Sequence, residues 1–408
     1  MEETIVIRYN HMKIAILTSG ILPVPAVQGG AVENLIDFYL EYNDKQKLHE
    51  ITIYSIYHPL VRHRPERKSS INHYYYINVN SLWGRIKRRL YLYHYKLTDN
   101  KYYNHYIEYY FKEAYKHIRK QDYDIIIMEN RPAYALKLKK KGIKARLICH
   151  LHNDLININT LYAQQIYDSL SRIITVSNYI SNCVKTIDPN DKKCITVYNG
   201  INLHDFSPTI TPTINRKDIG IEEEDFVLIF SGRINKEKGI RELIKSMYQL
   251  NDYQRIKLIV IGSSFFGDDL NENAFIKEIK AIAEPLRKRI IFTGFVPYER
   301  IPEYIKISNV AVIPSIWNDP FPTTVLEAQA IGLPIIATKN GGIPEEVTKR
   351  NAILLETDDC FIDSLAKSII HLYNHPDICE TMHQNSISHS LLYNKERFAK
   401  DFFKAIIS

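Results

Sequence analysis

Short apolar, β-branched runs alternate with longer stretches of helical periodicity along almost the whole chain. KIAILTSG from Lys13, ITIYSIY from Ile51, DIIIMEN from Asp124, RLICHLH from Arg146 and RIITVSN from Arg172 read as buried strands in the first half. FVLIFSGR from Phe226, KLIVIGS from Lys257, RIIFTGF from Arg289, VAVIPSI from Val310 and LPIIAT from Leu333 do so in the second. Strands that alternate with helices predict βαβ units and parallel sheets, and near-continuous apolar strands predict sheets covered on both faces. The alternation breaks at NLHDFSPTITPTINRKDIG, Asn202 to Gly220, where prolines interrupt any periodic pattern. A domain boundary is expected there, at about residues 200–215. Two sheets of similar size joined by one linker predict a cleft faced by the C-terminal ends of both sets of strands, where open α/β sheets bind ligands.

One helical pattern departs from the rest. In SLWGRIKRRLYLYHYKL, residues Trp83, Ile86, Leu90, Tyr93 and Leu97 fall on one stripe, with Arg85, Lys87, Arg88 and Arg89 around it. A basic amphipathic helix with interfacial aromatics can lie on an anionic bilayer, and residues 83–97 are the candidate peripheral contact. The alternative is a helix packed on its own domain with a solvated basic face.

Composition narrows the class. The chain has 408 residues, 45% apolar and 24% charged, which predicts a globular protein of two domains. No apolar run approaches the length of a membrane span, and the opening MEETIVIRYNHMK lacks a signal-peptide core. Residues 1–11 precede Met12-Lys13-Ile14, which reads like a natural start. Five scattered cysteines without a Cys-x-x-Cys pair fit reduced thiols and a cytoplasmic location, and argue against a structural zinc site. A net charge of +7, spread through the chain, gives little support to nucleic-acid binding.

The chemistry sits in loops that follow strands. Gly29-Gly30 precede a helical run from Ala31, where backbone amides and a helix N-terminus could approach a phosphate. The alternative is an ordinary flexible loop. Arg233 and Lys238 in SGRINKEKG pair a planar fork with a compact charge, a combination suited to a diphosphate; surface salt bridging is the plainer reading. In DPFPTTVLEAQAIGLP, Asp319 stands eight positions before Glu327. Thr324-Val-Leu-Glu327 has the spacing of a capping box, so Glu327 is expected to hold its own helix start when no ligand is bound. KNGGIPEEV carries Gly341-Gly342 in a turn, with Pro344 near a helix start. His150 and His152 alternate on one face at the end of a first-domain strand.

In order and spacing, these loops resemble the retaining nucleotide-sugar glycosyltransferases of family 4 and group 1, which have the GT-B architecture. GRINKEKG matches that group's Gly-Arg…Lys-Gly motif, and Asp319 and Glu327 fall on its paired acids. VYNGINLHDF, FTGFVP and the closing NKERFAKDFFKAI extend the resemblance over nearly all of residues 13–407. Asn130-Arg131-Pro132 and IGSSFFGDD are most similar to bacterial spore-coat and envelope-polysaccharide enzymes. The resemblance implies an α/β GT-B fold of two facing Rossmann-like domains with a deep cleft: an acceptor-side domain over 12–205, a donor domain over 206–390, and a terminal helix over 391–408 crossing back.

It also implies roles. Arg233 and Lys238 hold the donor diphosphate, and Glu327 takes the ribose hydroxyls. Asp319 takes hydroxyls of the transferred sugar, and the backbone from Phe321 through Pro322, Thr323 and Thr324 to Val325 helps hold sugar and phosphate. Gly29 and Gly30 approach the phosphates, backbone at Phe295 and Val296 holds the base, and His152 sits beside the sugar. A UDP-sugar donor, no metal or other cofactor, a glycan or lipid-linked acceptor and a place at the inner face of the plasma membrane follow from the same resemblance. The chain departs from the motif at Asp319, where Glu is usual, and at Asn202, where the junction usually carries Asp. Sugar-nucleotide 2-epimerases and non-catalytic partner subunits share the architecture and stand as alternatives. Asp122-Tyr-Asp124 looks like the metal motif of a different glycosyltransferase architecture, but it precedes a strand and reads as structural.

Overall fold

A computed structural model describes residues 11–95, 105–263 and 274–408; residues 88, 90–95 and 105 are described by backbone alone. The chain forms two compact units. One runs through Val176 and adds Ser181–Val197 and Ala399–Ser408; the other comprises Ser177–Ile180 and Tyr198–Phe398.

The first unit is built on a seven-stranded sheet: β1 Lys13–Leu17, β2 Glu50–Ile56, β3 Asn72–Ile77, β4 Ile125–Glu129, β5 Arg146–Leu151, β6 Arg172–Thr175 and β7 Cys194–Thr196. Its spatial order is β3-β2-β1-β4-β5-β6-β7, and every pairing is parallel. The second unit carries a six-stranded parallel sheet: β8 Phe226–Ser231, β9 Ile256–Ile261, β10 Ile290–Gly294, β11 Val310–Ile313, β12 Ile335–Thr338 and β13 Ala352–Leu355. Its order is β10-β9-β8-β11-β12-β13. Both sheets are therefore doubly wound. The strand order reverses between β1 and β4 in one and between β8 and β11 in the other, and such switch points are where these sheets bind ligands.

The central strands are apolar because helices cover both faces. Ile14, Ile16, Ile125 and Ile127 are buried, as are Leu228, Leu258, Val310 and Ile336. The helix Ile240–Tyr248 sends Leu243, Ile244 and Met247 into the core of the second unit, where Leu365 and Ile369 from helix Phe361–Asn374 join them. Three strands go beyond the sequence reading: β3, β7 and β13. The first is an edge strand whose NHYYYI is polar enough to hide the pattern; β7 and β13 are short edge strands of three and four residues. Edge strands need only one covered flank, so composition marks them weakly.

The final helix, Lys395–Ile407, contributes its first residues to the second unit and Ala399 onward to the first. Phe402 and Phe403 are buried there, with Phe402 stacked on Tyr39 at 4.2 Å and an interplanar angle of 2°. Among the described residues, no helix is long and apolar enough to cross a membrane, and all five cysteines are free.

Candidate functional site

In the second unit, the loops that flank the switch point meet. The loop after β8 runs through Arg233 into the short 3-10 turn Lys236–Lys238, whose cap Asn235 accepts a hydrogen bond from the Lys238 amide at 3.1 Å. The loop after β11 carries Asp319, which is buried and paired with the Lys238 ammonium through Oδ2. The Ser315 hydroxyl donates to the same oxygen at 3.3 Å. Two loops can lie this close only because Gly239 lacks a side chain. It has φ +70°, and a Cβ there would stand 1.8 Å from the Pro314 carbonyl oxygen. The Gly341-Gly342 turn closes from the other side: the Gly342 amide donates to the Asp319 carbonyl at 2.7 Å, and a Cβ on Gly342 would lie 1.9 Å from the Pro320 carbonyl. Asp319 is thus held through main chain and side chain together. The guanidinium of Arg233 is exposed and makes no hydrogen bond or ion pair with any described residue.

Glu327 differs from Asp319 in its surroundings. It lies inside helix Thr323–Ile331, is buried, and accepts hydrogen bonds from the side chains of Thr323 and Tyr298. Burial outweighs those bonds and raises its carboxyl to about 7. The capping box expected at Thr324 does not form. The helix begins at Thr323 with Pro322 as its cap, and no side chain caps it. Thr324 is inside the first turn, so Glu327 stands two positions beyond the place a capping-box acid would take and bonds the Thr323 side chain instead. The Tyr298 bond also ties the loop after β10, with exposed Phe295 and buried Val296, to the same helix. Phe321 is buried and stacks on Tyr198 at 5.2 Å, while the Asn199 amide donates to the Phe321 carbonyl at 3.1 Å. The sequence reading missed Glu346. It is fully buried, neither of its carboxylate oxygens has a hydrogen-bond partner among the described residues, and burial, then Asp319 and Glu345, push its carboxyl well above the usual range against the pull of Lys238.

In the first unit, the switch-point strands also end in chemistry. Glu129, the last residue of β4, is fully buried; its Oε2 lies 2.8 Å from Nε2 of His152 and 3.0 Å from Nδ1 of His150, and its Oε1 accepts from the Tyr39 hydroxyl at 2.9 Å. Burial alone would raise this carboxyl, but the charge and hydrogen bonds of the two histidines hold it at about 2. Burial, followed by the neighbouring His150, lowers His152 to about 4, so a neutral imidazole faces a carboxylate near neutral pH. Ligand atoms of Glu129, His150 and His152 all lie within 4.8 Å of one another, a donor set that could hold a transition metal. The distances above are those of a hydrogen-bonded triad whose remaining carboxylate oxygen is taken by Tyr39. A charged residue closing an otherwise apolar strand, IIIME, is the signal by which Glu129 could have been found. Gly29 and Gly30 precede helix Ala31–Gln46, and the helix's Glu33 is buried and raised by burial to about 7.

Other candidates fall apart from these clusters. Asp124 takes the Lys13 amide at 2.8 Å at the starting end of β4, away from the switch-point loops. Helix Leu82–Tyr95 leaves Leu82, Trp83 and Ile86 exposed beside exposed Arg85, Lys87 and Arg89. The side chains of Arg88, Leu90 and Tyr93, and Leu97 as a whole, lie outside the described residues, as does most of IGSSFFGDD beyond Ser263.

Two doubly wound parallel sheets with polar loops at both switch points define a GT-B-type protein. Comparison with known proteins places it more narrowly. Residues 47–205 match the model of Glycosyltransferase Family 4, and residues 212–389 match that of Glycosyl transferases group 1. The chain belongs to the group 1, family 4-like glycosyltransferases. The Bacillus subtilis protein YtcC is 29% identical over 93% of this chain and 87% of its own length, and spore coat protein SA of the same organism is 29% identical over 82% and 83%. The Escherichia coli UDP-Gal:α-D-GlcNAc-diphosphoundecaprenol α-1,3-galactosyltransferase is 25% identical over 63% of this chain and 68% of its own. In fold, Anabaena Alr3699/HepE, solved in complex with UDP-glucose, superposes with a TM-score of 0.72 over 97% of this chain and all of that one, at 19% identity.

Proposed function

We propose that this protein transfers a sugar, with retained anomeric configuration, from a nucleoside-diphosphate sugar to a glycan or lipid-linked acceptor in surface-polysaccharide synthesis. One observation carries the reading: at the switch point of the second unit, a partly buried Lys238–Asp319 pair sits in the same loops as an unengaged Arg233. A carboxylate and two cations at the ends of switch-point strands suit a sugar hydroxyl and a diphosphate.

On this reading Arg233 and Lys238 take the diphosphate, and Asp319, released in part from Lys238, takes a hydroxyl of the sugar. The uncapped N-terminus of helix Thr323–Ile331 offers amides at Thr323, Thr324 and Val325 to negative charge. Glu327 accepts from the ribose, and backbone at Phe295-Val296 holds the base. Gly29 and Gly30 approach the phosphates, and His152 takes a hydroxyl of the sugar. The departing diphosphate gains charge as the glycosidic bond breaks, and cations already in place stabilise it without solvent reorganisation. Two cations neutralise the diphosphate, so the reaction is read as metal-independent. A UDP donor is supported by the bound ligand of HepE and by the E. coli relative's name, which also supports a lipid-linked acceptor. The exposed apolar and basic side chains of helix Leu82–Tyr95 are read as a peripheral contact with an anionic membrane, where such an acceptor resides.

The deciding experiment is release of nucleoside diphosphate from UDP-, GDP-, ADP- and dTDP-sugars, with and without EDTA. Slow turnover of one donor, unchanged by EDTA and lowered at least about 100-fold in Lys238→Ala, is expected. Turnover that EDTA abolishes overturns metal independence. Donor binding without turnover points to a missing acceptor, and no binding on any arm makes the protein a non-catalytic subunit.

A further inference from the structure

The end of β4 is arranged around one side chain. Of three consecutive residues, Glu129 and Asn130 both hold His152, and Arg131 holds the loop after β1. Glu129 takes the Nε2 side of the His152 ring at 2.8 Å, and Asn130 accepts from the His152 amide through Oδ1 at 3.2 Å. Arg131 Nε donates to the Ser19 carbonyl, just past β1, at 3.0 Å. Asn130 adopts φ +56°, a left-handed conformation uncommon outside glycine, and this turns the chain so that its side chain reaches His152. Behind the carboxylate, the Tyr39 hydroxyl fills Oε1 and is itself braced by Phe402.

We propose that Glu129 is a positioning residue: it takes the Nε2–H of His152 and so fixes the tautomer in which Nδ1 carries the lone pair offered to a sugar hydroxyl. The inference rests on the role given to His152 above and deepens it. A neutral imidazole has one donor and one acceptor nitrogen, and a carboxylate can only accept, so the nitrogen facing Glu129 must be the donor. The other is then an acceptor. No described residue hydrogen-bonds to Nδ1 of His152, and the residue is 7% exposed, so that nitrogen is the ring's one remaining polar contact. The carboxylate cannot swing away, because Tyr39 and His150 occupy its other directions. No bond to carbon or phosphorus forms or breaks at this group; it sets the direction of one hydrogen bond.

The test uses the full chain labelled with 15N-histidine, with His152 assigned by its loss in His152→Asn. The wild-type ring is expected as the Nε2–H tautomer near neutral pH. An Nδ1–H tautomer or an imidazolium overturns the proposal, whatever the turnover. Glu129→Gln can face the ring with either an oxygen or an amide, so the tautomer is expected to become mixed or inverted. With the donor identified above, kcat should then fall about 100-fold, the cost of a misdirected group, with the donor KM changed less than threefold. A folded Glu129→Gln protein that keeps both the tautomer and kcat overturns the proposal. If that variant fails to fold, Glu129→Asp, which draws the carboxylate back from the ring by one methylene, serves in its place: a mixed tautomer population supports the proposal, and an unchanged tautomer with unchanged kcat overturns it. Should no donor bind to the wild type, the transferase reading fails while the tautomer measurement still decides this one.

Discussion

Asp319 and Glu327 occupy neighbouring stations in one short stretch, yet their carboxyls live under different rules. Asp319 has a lysine against it and a serine hydroxyl on the same oxygen. Glu327 has only hydroxyl partners, and burial lifts it to about 7. Its native state therefore holds a proton that the unfolded chain has lost, from the ordinary carboxylate range up to about pH 7. Stability from this group is fully present below about pH 4.5 and is lost as pH rises through 7, at about 1.4 kcal/mol per unit within that window. Glu327→Gln keeps an acceptor for Thr323 and Tyr298 but no longer titrates. The variant should gain on the wild type in thermal unfolding as pH rises from 5 to 8, and parallel curves would show that the carboxyl is not raised. Glu33 and Asp37, also raised to about 7 by burial, impose their slope on both proteins, so the difference isolates Glu327.

At the level of elements, the helix Leu82–Tyr95 is the one that a globular protein has least reason to leave as it is. Leu82 and Trp83 are more than 70% exposed, a large apolar outlay on a helix whose described charges are basic. Lys87 reaches Glu113 at 3.6 Å and the Tyr109 ring at 5.6 Å, so one edge of the helix is engaged by its own unit while Leu82, Trp83 and Ile86 remain exposed. If the bilayer reading holds, the wild type should co-sediment with vesicles containing phosphatidylglycerol and not with pure phosphatidylcholine, and salt should weaken the association. Replacing Arg85, Lys87 and Arg89 together by Ser should weaken it about 100-fold, taking about 1 kcal/mol for each charge near the surface. Equal binding to both lipids, or none to either at low salt, would remove the membrane from the account.

For the whole molecule, the chain's last turns matter out of proportion to their position. Phe398, Phe402, Phe403 and Ile406 are all buried, and Ala399 onward packs as part of the first unit although it follows some two hundred residues of the second. Phe402 covers Tyr39 and lies 5.3 Å from the His150 ring, so the same side chain that seals the core also walls the Glu129 cluster. Phe402→Ala should cost about 3–5 kcal/mol of stability, read by denaturant unfolding, because the ring leaves a cavity that the stacked aromatics cannot close. A loss below 1 kcal/mol would mean that the helix is an appendage.

Much of this was open to reading from residues alone. Five strands of each sheet, the helices between them and the glycosyltransferase motifs depend on local pattern: alternation of apolar and polar positions, and glycines and prolines at turns, act over a few residues. Edge strands β3, β7 and β13 escaped because a half-covered or very short strand carries little pattern. The partner of Lys238 is 81 residues away and that of His152 is 23 away, and no spacing rule along a chain announces which loops a doubly wound sheet will bring to its switch point. The unoccupied capping box shows the converse: Thr324 and Glu327 have the right spacing, and the helix is nonetheless capped at Pro322, two residues before Thr324. What the sequence determined by itself is the class of element at each place and the kind of chemistry in each loop, since both follow from side-chain properties and neighbours within a turn or two. What only the tertiary structure decided is who meets whom, and hence that Asp319 is paired, Glu327 and Glu346 are raised, and Glu129 aims His152. Those follow from burial and from contacts between distant segments, which exist only once the sheets have formed.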